Sequence, residues 1–239
     1  MVRALHSHCK GRGFEPLRDH MKKLLFYVFW IGLMFMAPVA VFSNTSFSAI
    51  QAAVNPAVPL NVLQRLIGLW AFTMLFIQIV LGSFMPFWTQ KLGGWIFRFH
   101  ILEGVLAYLF ILAHPTIYVF FRYFTSQGFD PFFVFTQVCF ICRQGVDTYF
   151  NYGRIGFWLL TVGVTAGLLR VETPFMRMHW RKFHILNYFA FFFVWYHSLT
   201  IGTDIGTFPF SFFHGPTVVI IGVLALYRLY GVIRTSFRR

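Results

Sequence analysis

Along the 239-residue chain, polar and charged residues cluster in short segments separated by long apolar runs. Each run holds about 18 or more residues, enough to cross a ~30 Å hydrocarbon core as a helix. Six are legible, approximately 23–43, 62–86, 99–121, 155–171, 183–201 and 216–233. They predict an all-α fold, a polytopic membrane bundle of six transmembrane helices. A further run, FFVFTQVCFIC at 132–142, is too short to span and reads as a re-entrant or interfacial piece capping the bundle. No connection is long enough for a soluble domain, so function is expected to reside in the bundle. The chain divides into a basic leader (1–22), the six-helix domain (23–234) and a short tail (235–239).

Composition agrees with this pattern. Hydrophobic residues make up 58% of the chain and charged residues 11%, against about 25% charged in an ordinary soluble domain. The formal charge of +13 would fit nucleic acid, but its distribution argues otherwise. With the N-terminus in the cytoplasm, sixteen of the 20 Lys and Arg residues fall on the cytoplasmic side. Arg65, Arg122, Arg143 and Arg154 are the four on the other side. The positive-inside rule then places both termini in the cytoplasm, in a multi-pass protein of the plasma membrane or, in a prokaryote, the inner membrane. Nucleic acid is excluded as a partner, and the bilayer is the surface the charge addresses. No cleavable signal is expected, because a polar basic leader precedes the first run. That leader, with His6, His8, Cys9 and His20, reads as a disordered tail rather than a metal site.

Histidines inside such runs are costly and point to function. The third run places His100 and His114 fourteen residues apart, and the fifth places His184 and His197 thirteen apart. At 1.5 Å per residue these separations are about 21 Å and about 20 Å along the two helices. The two runs have one span between them and so point the same way. His100 therefore meets His184 near the inner face, and His114 meets His197 nearer the outer face. Two facing imidazoles from neighbouring helices are the axial pair of a six-coordinate b-type haem, and two such pairs stack two haems across the bilayer. Gly104, one turn after His100, leaves room for a porphyrin face. One mismatch remains. Fourteen residues bring the imidazoles of the third run to about 40° apart around the axis, whereas thirteen leave those of the fifth about 140° apart, so that helix has to tilt, curve or distort. The rival reading is a haem-free metal or proton transporter. A metal site would normally recruit carboxylate or thiolate at the same depth, where only Glu103 is near.

The segments FHILEG…LAYLFILAHPTIY (99–118) and WRKFHILNYFAFFFVWYH (180–197), with a weaker echo in RLIGLWAF (65–72), resemble the ferric reductase-like transmembrane domain family. That family includes the membrane halves of ferric reductases and NADPH oxidases, and the haem-bearing membrane subunit of the bacterial methionine-sulfoxide repair system. The resemblance covers essentially the whole chain. It implies His100, His114, His184 and His197 as ligands of two haems b, with electrons moving outward from the cytoplasmic side. This chain departs from the family in having Ile101 where a basic residue often follows the first histidine.

Haem propionates favour guanidinium partners. Arg98 and Arg181, with Lys182, are the candidates near the inner haem, and Arg65 and Arg154 near the outer one. Glu103 is expected to reach the interface or pair with Arg181 or Lys182. Asp130, Asp147 and Asp204 are expected to face the outside. Cys139 and Cys142 form a C-x-x-C on that side, either a redox dithiol or two small apolar residues of an embedded loop. No dinucleotide-binding motif is legible, so FAD or FMN is expected only through a partner. The expected donor is a cytoplasmic flavoprotein or quinol, and the expected acceptor is ferric iron, oxygen or an extracytoplasmic partner reductase. The chain would then be an electron-transfer subunit, or the membrane half of a larger NAD(P)H-dependent reductase or oxidase.

Overall fold

The computed structural model describes residues 15–51, 54–139, 141–142 and 145–236. The leader up to residue 14 and the end of the tail, 237–239, lie outside the described residues. Every regular element among those described is helical. In chain order these are α1 (Glu15–Ser43), α2 (Phe47–Gln51), α3 (Ala57–Ser83), α4 (Met85–Leu92), α5 (Trp95–Phe124), α6 (Phe133–Thr136), α7 (Gly145–Leu168), α8 (Pro174–His184), α9 (Leu186–Ile201) and α10 (Phe210–Ser236). A 3₁₀ turn, Leu169–Val171, continues α7.

Five helices, α1, α3, α5, α7 and α10, are long and apolar enough to cross a membrane. Their outward faces carry large apolar side chains such as Leu24, Leu102, Val162 and Leu226, all exposed. Water would penalise such a surface and hydrocarbon does not, so the chain reads as a multi-pass membrane protein. The fourth expected run begins earlier than the sequence indicated, because the crossing stretch reaches from Asp147 to Val171.

The fifth expected run is the one that changes character. It is divided into α8 and the 16-residue α9, which at 1.5 Å per residue spans about 24 Å. The division falls at Ile185, directly after His184. Ile185 keeps right-handed helical dihedrals (φ −63°, ψ −21°), but the Tyr188 N–H donates to the Ile185 carbonyl, three residues back. A turn closed in that way winds at about 120° per residue rather than about 100°, so three such residues add about 60°. The local overwinding turns His197 towards His184, from about 140° to about 80° apart, which supplies part of the correction that the thirteen-residue spacing demands. Phe189 and Leu199 on α9 are exposed, so its outer face is as apolar as its neighbours'.

Short connections hold the bundle. The turn between α4 and α5 needs Gly93, whose φ of +97° is open to glycine at little cost. On the opposite side, α6 lies against Arg122, whose guanidinium sits 3.9 Å above the Phe133 ring. The main core joins α1, α3, α9 and α10 through Val41, Phe72, Phe191 and Ile221. Indole donors lock this core across helices: Trp70 Nε1 donates to the Met34 carbonyl and Trp195 Nε1 to the His214 carbonyl.

Candidate functional site: two stacked histidine pairs

The four expected histidines stand in two pairs. His184 lies near enough to His100 to interact electrostatically, and His114 near enough to His197. The pairings show that α5 runs parallel to α8 and α9, as the sequence required.

What the sequence pattern did not reveal is the partner that each imidazole has on a second helix. A β-carbon built on Gly68 of α3 would stand 2.8 Å from the His114 ring, and one on Gly82 would stand 3.4 Å from His100. On α7, a β-carbon at Gly153 would stand 2.7 Å from His197, and one at Gly167 would stand 3.2 Å from His184. Each histidine thus lies against a glycine of an antiparallel neighbour. The spacing carries the signal: Gly68 and Gly82 are fourteen residues apart, and so are Gly153 and Gly167.

The glycines do more than clear space. His114 Nδ1 donates to the Gln64 carbonyl at 3.0 Å, His197 Nδ1 to that of Tyr149 at 3.0 Å, and His184 Nδ1 to that of Gly163 at 2.9 Å. Each acceptor lies four residues before the facing glycine, where the missing side chain leaves a helix carbonyl open from the side. A carbonyl oxygen only accepts, so the proton of each ring is on Nδ1 and the Nε2 lone pair is free. His100 differs, since its Nδ1 is buried without a hydrogen-bond partner among the described residues.

Between His114 and His197 lies a cavity of about 440 Å³, lined by Gly68, Phe72, Phe150, Phe157 and Arg154 among others. That is within the range of about 300–1,000 Å³ usual for cofactor sites, and the mostly apolar lining is also usual. Ligating histidines characteristically donate their second ring N–H to a backbone carbonyl, which fixes the tautomer and aims the ring. Three of the four histidines do so here, and each facing glycine makes the room in which an imidazole is seated. The residues present therefore fit a planar bis-imidazole-ligated group such as haem b. Among the described residues, no group of three or more His, Cys, Asp or Glu side chains gathers as an all-protein metal site.

The flanking residues are arranged differently from expectation. Arg154 is only 3% exposed and lines the outer cavity. Arg65 also lines it, but its guanidinium grips Asp204, with Nε 2.7 Å from Oδ2, and donates to Thr45 Oγ1. Asp204 does not face the outside; it is 2% exposed and tied to Arg65, and Asn44 also donates to it. On the inner side Arg98 and Arg181 are exposed, and Arg181 lies over the Trp180 ring. The cation within electrostatic reach of both inner histidines is Arg170, which stacks over Phe97. Glu103 does not reach the interface. It is buried and accepts a hydrogen bond from Gln78 Nε2, and Gln78 occupies the gap that Gly104 leaves.

A fifth histidine within the bundle, His214, is buried, stacked between Trp195 and Phe72, with Nε2 2.7 Å from Ser198 Oγ. Compared with known proteins, the chain matches no family model, no curated protein and no solved structure. The class that fold and site define is a multi-pass helical membrane protein with two stacked histidine pairs.

Proposed function

We propose that the chain is a transmembrane electron carrier that holds two haems b, one between His100 and His184 and the other between His114 and His197. The observation that carries this reading is the ring geometry: a glycine behind each of the four rings and, in three of them, Nδ1 bound to a helix carbonyl with Nε2 free. Haem b, when bound, supplies a one-electron iron couple. The remaining work falls to the chain's own side chains. The carbonyls of Gln64, Tyr149 and Gly163 hold three imidazoles in one tautomer. Phe72, Phe150 and Phe157 give the outer site apolar walls, and Arg154 there and Arg170 at the inner site offer positive charge to anionic propionates.

On this reading both termini are cytoplasmic and α5 and α9 run outward through the plasma membrane. Electrons enter from a cytoplasmic flavoprotein or quinol and leave to ferric iron, oxygen or a partner reductase on the far side. The kinked α9 is the sixth crossing, with α8 at the cytoplasmic interface, where His179, Arg181 and Lys182 are in contact with headgroups. The testing experiment is the reduced-minus-oxidised optical spectrum of the purified protein. Sharp bands of low-spin b haem are expected, and properly folded protein without a Soret band would overturn the proposal.

A further inference from the structure

A second redox-capable group lies beside the outer cavity. Cys139 and Cys142 form a disulfide in the segment between α6 and α7. Asn151, on α7, lies beside both sulfurs: its Nδ2 donates to the Cys139 carbonyl and is 3.4 Å from Cys139 Sγ and 3.5 Å from Cys142 Sγ. Its Oδ1 accepts from the Cys139 N–H at 3.3 Å and from Arg154 Nη1 at 2.9 Å. Arg154 in turn touches two spaces. It lines a recess with Cys139 and Asp147, and it lines the cavity between His114 and His197. An amide and a buried guanidinium therefore connect the sulfurs to the histidine cavity.

Three observations speak against a purely structural bridge. The stabilisation given by a disulfide grows with the loop it closes, so a bridge over two intervening residues contributes least. Thiolates are also stabilised by a cation in their surroundings, and Arg154 is bound to the Asn151 amide that lies beside the sulfurs. Finally, Ile141 between the cysteines is 95% exposed, and both cysteines are partly exposed, so the bridge is reachable from the surface.

We propose that Cys139–Cys142 is a redox-active disulfide forming the electron-accepting end of the outer site. The proposal rests on the electron-carrier reading for its source of electrons. The S–S bond takes up two electrons and breaks, and two protons from extracytoplasmic water complete two thiols. The electrons arrive singly, and two ferrous haems become ferric for each bridge reduced. Asn151 stands beside the sulfurs, with Arg154 bound to its Oδ1, while they carry negative charge.

The test uses the full-length, haem-loaded protein in detergent under anaerobic conditions. The haems are reduced with one equivalent of dithionite per chain, which supplies two electrons, the ferrous signal is followed, and maleimide adducts are counted by mass. The chain has three cysteines, Cys9 being the third. The expected result is one adduct before reduction and three after it, with the ferrous signal decaying in the absence of oxygen as the adducts appear. The double variant Cys139→Ser/Cys142→Ser is expected to stay ferrous with one adduct. Wild-type protein that stays ferrous with one adduct would overturn this proposal alone, as would three adducts before any reduction. A pyridine-haemochrome assay on the same sample separates the two ideas, because absence of haem overturns the electron-carrier reading and this proposal with it.

Discussion

Gly68 on α3 and His114 on α5 lie so close that a β-carbon on the glycine would stand 2.8 Å from Cε1 and Nδ1 of the ring. The same ring donates to Gln64, one turn before that glycine. The relationship makes a graded prediction. Gly68→Ala and Gly153→Ala must push an imidazole off its carbonyl, and each is expected to lower haem content from about two to about one per chain. At Gly82 the same methyl meets His100 at an ordinary 3.4 Å, and Gly→Ala within a helix is intrinsically favourable by up to about 1 kcal/mol. Gly82→Ala is therefore expected to keep its haem. Gly222→Ala, where nothing lies within 4 Å, serves as the control. Pyridine-haemochrome quantitation of the four variants checks the order.

Half-buried Arg65 and buried Asp204 form an ion pair between α3 and the segment that follows α9. Removing one partner of such a pair leaves a buried charge uncompensated, typically at about 3–5 kcal/mol. Arg65→Leu, which strands the buried Asp204 carboxylate, is expected to destabilise the protein by about that order, and Arg65→Leu/Asp204→Leu by clearly less. Chemical unfolding in detergent, followed by tryptophan fluorescence, measures both.

Arg170 lies within electrostatic reach of both inner histidines. A positive charge eases electron acceptance, so Arg170→Gln is expected to lower the midpoint potential of the inner haem and leave the outer one nearly unchanged. Arg98→Gln and Arg181→Gln, at exposed positions, are expected to shift it less. Spectroelectrochemical titration of the three variants tests the ranking.

The cores of the two pairs were legible because an imidazole inside an apolar run is costly unless it binds something, and four of them fall at two matched depths. The mismatch of thirteen against fourteen residues was legible too, and the structure answers part of it with the overwound turn at Ile185. Its location at the first histidine was not legible, since the choice depends on how α8 and α9 pack against α7. The facing glycines were hidden for a related reason. Nineteen glycines occur in the chain, and only the antiparallel register selects the four that lie against rings. Their shared fourteen-residue spacing, equal to that of His100 and His114, was nevertheless present in the sequence. Asp204 and Arg170 depended on contacts between distant segments, which no local pattern encodes. Glu103 depended on Gln78 filling the space at Gly104, also a tertiary matter.

The most direct test of the account is the haem count of purified protein in wild type, His114→Ala and His197→Ala. The account predicts about two haems b per chain in wild type and about one in either variant, with the same remaining spectrum, because both substitutions open the same site. Unequal losses in two folded variants, or no haem in folded wild type, would contradict it.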